Sequence, residues 1–268
     1  MTNIPMPPLQ EQPLLKLGCT LPFESAVEYA PVFLKFNLRP EVLLTSDSVL
    51  NRDDNLIEEI NEICKGCGGC TVHAPFISMF WDNVDSEMQK RTEEVLMGSA
   101  ELSSTLKADS AVIHTNFDPR TGETIDQWLS KKVKGLAKVT EYYASLGVRP
   151  LIENVRESTP EMLLKIRAEL WDDTGICIDP GHAAVISEVS APEWFKAVKP
   201  HLCEIHLHNN YKDYDAHLPL SKGNGWDPEK DLKNLIKEGY SFFPVMEPKD
   251  KETAMINIKT LTEWGLRV

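Results

Sequence analysis

The stretch Cys203-Glu204-Ile205-His206-Leu207-His208-Asn209-Asn210 places two imidazoles two residues apart. Read as a β-strand, its side chains alternate between two faces. Cys203, Ile205 and Leu207 then share an apolar face suited to burial under a helix. Glu204, His206 and His208 share the other, and two imidazoles on one face suit a metal ion. Asp215-Ala216-His217 follows as a further pair of ligand type. One buried His is ordinary core material; this density asks for elements that bring more donors to the same place.

Apolar runs bounded by turn residues recur along the chain and predict strands near 14–21, 41–46, 70–76, 110–117, 149–155, 175–179, 202–208 and 241–248. Helices are expected between them, near 23–36, 54–63, 86–106, 124–146, 158–170, 191–198, 227–239 and 250–264. Leu56, Ile57, Ile60 and Ile63 show the helical spacing. Pro160 stands early in its helix, where its missing N–H costs nothing, and Gly147 is a suitable C-terminal stop. Eight strands alternating with eight helices argue an α/β fold with a parallel sheet, closed as a (β/α)₈ TIM barrel. We expect a single domain over 13–268 after an N-terminal extension at 1–12. No GxGxxG follows the first strand, which disfavours a doubly wound dinucleotide fold.

In such a barrel the active site lies at the C-terminal ends of the strands. The third strand ends in Val72-His73, the fourth in Ile113-His114 and the fifth in Ile152-Glu153. The sixth ends in Ile178-Asp179 with His182 just beyond, the seventh in His206-Leu207-His208 and the eighth in Met246-Glu247. Each apolar neighbour (Val72, Ile113, Ile152, Ile178, Leu207, Met246) is expected to face a helix. Carboxylates gathered in a barrel mouth are costly without a compensating charge, and a divalent cation supplies one. Among the seven His residues only His201 falls outside this pattern.

The chain has 268 residues and a net charge of −13, which weighs against non-specific binding to nucleic acid. No apolar run approaches the ~18 residues of a membrane span, and residues 1–12 lack the basic and apolar regions of a signal peptide. The cytoplasm is the expected compartment, and the oligomeric state is not legible. Cys64-Lys-Gly-Cys67-Gly-Gly-Cys70 contains two CxxC steps that could hold zinc or an iron–sulfur cluster, given a fourth ligand. The plainer reading is a Gly-rich loop with free thiols. Cys19, Cys177 and Cys203 read as small buried hydrophobes.

With these segments in view, the chain resembles the xylose isomerase-like barrel superfamily, which holds sugar isomerases and epimerases together with endonuclease IV. The resemblance rests on HAPF at 73–76, IENV at 152–155, IDPGHA at 178–183, HLHNN at 206–210, DAHLPLSKGNG at 215–225 and MEP at 246–248. It implies a central metal held by Glu153, Asp179, His206 and Glu247. It implies a second metal at His73 and His114, with Glu153 bridging, and a third at His182, Asp215 and His217. His208 falls on a polar position of the endonuclease that is not a ligand, and is assigned to substrate. Imidazole mixed with carboxylate suits Zn²⁺ or Mn²⁺, with Co²⁺, Fe²⁺ and Mg²⁺ as alternatives, in one to three sites.

The resemblance implies two activities. In a sugar or sugar-phosphate isomerase or epimerase, Glu153 and Glu247 resemble the glutamate pair that both binds metal and moves protons. The loop from Phe76 to Trp81 would lay an aromatic wall on the sugar, and Arg156 and Lys249 would meet its phosphate or hydroxyls. In an endonuclease, the same centre would cleave phosphodiesters at abasic DNA. The chain departs from the nuclease pattern at His114-Thr115-Asn116, where that family has His-Pro-Gly, and at Asp179-Pro-Gly-His182, where it has Asp-Thr-Cys-His. It departs from the isomerase-like members at Asn209, where Asp is common, and at Gly223-Asn224-Gly225, where Gly-Glu-Gly is common.

Overall fold

Eight parallel strands close on themselves in chain order in the computed structural model, which describes residues 15–77, 79 and 86–266. They are β1 (Gly18–Pro22), β2 (Arg39–Leu43), β3 (Thr71–His73), β4 (Ser110–His114), β5 (Arg149–Glu153), β6 (Gly175–Ile178), β7 (Leu202–Leu207) and β8 (Phe243–Met246). β1 pairs with both β2 and β8, which closes the barrel. The helices among the described residues are α1 (Ala26–Phe36), α2 (Ser46–Leu50), α3 (Asp54–Gly66), α4 (Ser86–Thr105), α5 (Ile125–Ser145), α6 (Pro160–Ala168), α7 (Pro180–Ile186), α8 (Ala191–Val198), α9 (Pro228–Lys237) and α10 (Lys251–Glu263). None of them is long and apolar enough to cross a membrane.

Local chemistry starts these helices. Asp53 accepts hydrogen bonds from the N–H groups of Asn55 and Leu56, and Thr124 forms a capping box with Gln127. Asp227 and Asp250 cap α9 and α10 in the same way. The strands then sort their side chains by pleat. Val72, Ile113, Ile152, Ile178, Leu207 and Met246 join the main core beneath the helices. Val112, Leu151 and Cys177 form a separate small apolar cluster. Each fully buried aliphatic side chain contributes about 1.5–3 kcal/mol, so the outer layer carries the fold.

The structure departs from the sequence reading in four places. α2 and α7 lie in stretches to which the sequence reading assigned no element; each has its own cap, Thr45 for α2 and Asp179 for α7. β3 stops at His73, short of 70–76, two residues before Pro75, which lacks a ladder N–H. The pairing of β7 with β6 steps from Ile176↔Leu202 to Cys177↔Glu204. Cys203 is therefore the extra residue of a β-bulge, and it packs against the inner cluster rather than sharing the outer face of Ile205. Cys64, Cys67 and Cys70 are free and buried. A hydrogen bond to Cys70, with burial adding, pushes the Cys64 thiol far up, which keeps it protonated. The extension at 1–12, residue 14, and Phe80 and Trp81 lie outside the described residues.

Candidate metal centre

The barrel delivers its donors from consecutive strand ends. His114 and Glu153 are direct register neighbours at the ends of β4 and β5. His73 closes β3, and His206 sits one residue before the end of β7. Asp179 follows β6 as the cap of α7, accepting a hydrogen bond from the His182 N–H at 2.9 Å. That cap puts His182 on the first helical turn, facing back over the mouth. Glu247 follows β8, its N–H donating to the Leu207 carbonyl at 3.3 Å.

Asp215 and His217 come from a long loop that the chain clips down. Asn209 and Leu218 form an antiparallel bridge. The Asn210 carbonyl accepts from the N–H groups of Asn224 and Gly225, and its side-chain amide donates to the Gly181 carbonyl at 2.8 Å. His217 has φ of 45°, in the left-handed region that costs most L-residues about 1–2 kcal/mol.

Glu153 is the hub. Its Oε2 lies 2.9 Å from His114 Nε2 and 3.4 Å from His73 Nε2, and its Oε1 lies 3.2 Å from both His182 Nδ1 and His206 Nδ1. Glu247 Oε2 is 3.4 Å from His206 Nδ1. Asp215 Oδ2 lies 3.3 Å from His182 Nε2 and 2.9 Å from His217 Nε2. Backbone carbonyls orient three rings: Nδ1 of His73 faces the Ala74 oxygen at 3.1 Å, that of His182 the Asn154 oxygen at 3.1 Å, and that of His217 the Glu247 oxygen at 2.9 Å. With Nδ1–H donated to a carbonyl, Nε2 is the nitrogen that would offer its electron pair to a bound cation once it has given up its proton.

Burial would raise the Glu153 and Asp179 carboxyls, but imidazoles reverse this. His206 and His114 hold Glu153 well below the carboxylate range, and His182 and His208 hold Asp179 near about 2. Asp215 is likewise held far down, against burial, by hydrogen bonds from His182 and His217. Burial wins at Glu247, which is pushed up. His217 rises to about 9, because its bond to Asp215 and the charge of Glu247 outweigh burial.

These residues fit a divalent ion. Three sets of donors each fall within 4.8 Å: His73, His114 and Glu153; His73, His206 and Glu247; Asp179, His182 and His208. Glu153 Oε2 and His114 Nε2 are buried without aligned hydrogen-bond partners. Hard carboxylate oxygens with imidazole nitrogens are the donor chemistry of zinc and manganese.

A cavity of about 210 Å³ opens above this centre, walled by Phe76, His73, His114, Glu153, His182 and Glu247 among others. Phe76 stacks on His114, with ring centroids 4.7 Å apart. Arg156 lines an adjoining cavity of about 410 Å³ and pairs with Asp118 at 2.5 Å. Lys249 is exposed on the loop before α10. His208 is the residue that the resemblance assigns to substrate. It is fully buried, with Nε2 2.8 Å from Asp179 Oδ2 and its ring stacked on His217, so it holds a carboxylate and lines neither of these cavities. A Cβ at Gly181 would run into its ring.

Two buried residues escaped the sequence reading as site members. Glu41 on β2 and Glu204 on β7 meet inside the barrel, on the far side of His206. Glu204 was visible on the face of His206; nothing in the local run around Glu41 marks it as inward-facing.

Comparison with known proteins agrees with this architecture. A 170-residue stretch is 23% identical to an uncharacterised protein of Methanocaldococcus jannaschii, covering 62% of this chain and 66% of that relative. A Thermus thermophilus protein soaked with ZnCl₂ superposes with a TM-score of 0.78 at 24% identity, over 93% of this chain and 98% of the other. A D-tagatose 3-epimerase-like protein gives 0.80 at 21%, over 93% and 97%. Endonuclease IV from Thermus thermophilus gives 0.69 at 17%, over 93% and 98%. A family model described as xylose isomerase-like TIM barrel matches residues 39–266, and the chain belongs to that family.

Proposed function

We propose that the chain is a divalent-metal-dependent isomerase or epimerase of a sugar or sugar phosphate, with Glu153 and Glu247 as its proton-transfer pair. One observation carries this reading: Glu153 and Glu247 line one cavity and both face His206 Nδ1, at 3.2 and 3.4 Å. Such a pair suits removal of a proton from a carbon beside a carbonyl by one group and its return by the other.

Glu153, Asp179, His206 and Glu247 would hold a central zinc or manganese ion. His73 and His114 with Glu153, and His182, Asp215 and His217, offer places for two more. When bound, the ion would supply a Lewis acid for the oxygens flanking the reacting carbon. The residues do the rest. Phe76 offers its ring to the apolar face of a sugar, and Arg156 and Lys249 answer a phosphate or hydroxyl at the rim. His208 keeps Asp179 oriented.

A second reading, cleavage of phosphodiesters at abasic DNA, is supported by the fullness of the donor set. The net charge of −13 weighs against it. The test is to incubate Zn²⁺- or Mn²⁺-loaded protein in D₂O with a pool of ketoses and ketose phosphates, and separately with an abasic duplex. Deuterium entering a sugar carbon is the expected result. Nicking of the duplex that Glu247→Gln abolishes, with no deuterium uptake, would replace the first reading by the second.

A further inference from the structure

We propose that Glu41 and Glu204 are positioning residues for His206: together they keep the proton on Nε2 and so present Nδ1 to the metal centre. The inference rests on the reading of His206 as a metal ligand, and is independent of the sugar chemistry.

His206 differs from its neighbours in how its ring is held. His73, His182 and His217 each turn Nδ1 to a backbone carbonyl. His206 is reversed. Its Nδ1 faces Glu153 Oε1 at 3.2 Å and Glu247 Oε2 at 3.4 Å, and its Nε2 faces Glu41 Oε2 and Glu204 Oε1, both at 3.4 Å. Among the described residues two side-chain carboxyls stand where the other rings meet a carbonyl. The Glu41 oxygen accepts, so Nε2 donates to it, with Glu204 standing beside the same nitrogen; a neutral imidazole that donates from one nitrogen offers its lone pair at the other. Ligating imidazoles are held in this manner by a carboxylate on the remote nitrogen.

Glu41 and Glu204 are buried to within 1% of completely, on β2 and β7, which β1 and β8 separate in the barrel. Glu41 Oε1 and Glu204 Oε1 have no aligned hydrogen-bond partner among the described residues. For filling space alone, apolar side chains of the same volume cost less than two buried carboxyls. The two carboxyls hydrogen-bond each other, and the imidazole nitrogen both of them face is His206 Nε2.

The test follows the ring nitrogens of His206 by ¹⁵N NMR in the parent, in Glu41→Gln and Glu204→Gln, and in the double variant. Each protein is titrated with base when metal-free and then loaded with Zn²⁺, whose affinity is measured by chelator competition. In the parent, Nε2 is expected to keep its proton throughout, while Nδ1 loses its own on titration or on Zn²⁺ binding. In the double variant Nε2 is expected to lose that protection, and Zn²⁺ to bind about 10–100-fold more weakly. A merely structural pair would lower the melting temperature and leave both readouts alone. Deprotonation of Nε2 in the parent, or a double variant that binds Zn²⁺ within about twofold of the parent, overturns the inference. If the double variant does not fold, the parent titration and the two single variants decide. If the parent binds no Zn²⁺, the proposed function falls, and the metal-free titration still judges the pair.

Discussion

The mouth and the floor of this barrel are built from the same strands two residues apart. Val112 precedes His114 on β4, Leu151 precedes Glu153 on β5, and Cys177 precedes Asp179 at the end of β6. The first of each pair packs in a small apolar cluster, and the second enters a ring of imidazoles and carboxylates. One pleat separates matter that stabilises the fold from matter that costs stability to bury. The helical layer offers a further contrast. Asp231 on α9 is buried too, but its neighbourhood holds another carboxylate rather than an imidazole. Burial pushes its carboxyl up to about 6, with Asp227 adding to the effect. Asp179 is buried more completely and is held near about 2. Neighbours, more than depth, decide the charge of a buried carboxyl here.

The sharpest way to break the comparison is to cross its two halves. Glu153→Gln or Glu247→Gln should lower deuterium exchange into substrate by about 10²–10⁴-fold, read by mass spectrometry, while the fold survives. Exchange at the parent rate would remove the glutamates from their proposed role. Leu151→Ala should do the reverse, costing about 2–5 kcal/mol of stability by urea unfolding with Zn²⁺ stoichiometry unchanged. A floor variant that loses its metal would show the two layers to be one unit.

Removal of metal should sit between these. Zn²⁺ at a hundred times its dissociation constant stabilises a folded protein by about 2.7 kcal/mol, so chelation should lower the melting temperature of the parent. The same treatment should leave Glu153→Gln nearly unmoved. The smallest effect belongs to Asp231→Asn. The folded carboxyl keeps its proton where the unfolded one has lost it, so rising pH favours unfolding between about pH 4 and 6. The variant should therefore gain about 1–2 kcal/mol above pH 7 and nothing at pH 4. Equal gain at both values would mean that packing, and not charge, sets the environment of Asp231.

Much of this was legible because strand-end donors announce themselves. An Ile or Val beside a His or Glu, repeated on successive strands, marks both the pleat and the mouth. The helix α7 was less visible because it is short and follows its strand directly, although Asp as cap and Pro in the first turn is how helices begin. Glu41 was hidden for a different reason. A carboxylate at the head of an apolar run looks like a solvated flank, and only the register of Glu41 with Thr71 and Thr20 turns it inward. The full burial of His208 was not legible, because alternation gives the face of a side chain and not its depth.

The bulge at Cys203 has a consequence for how this chain can change. A flat ladder from Ile176 through Ile178 would leave Glu204 and His206 pointing at the helices; one surplus residue moves them to the lumen. The room for that surplus comes from Gly175, where a Cβ would stand 2.5 Å from Cys203 Sγ and Leu151 Cδ2. Position 175 is thus constrained from two sides, by the surplus residue of β7 and by Leu151 on β5, so a deletion in β7 alone would not free it for a larger side chain.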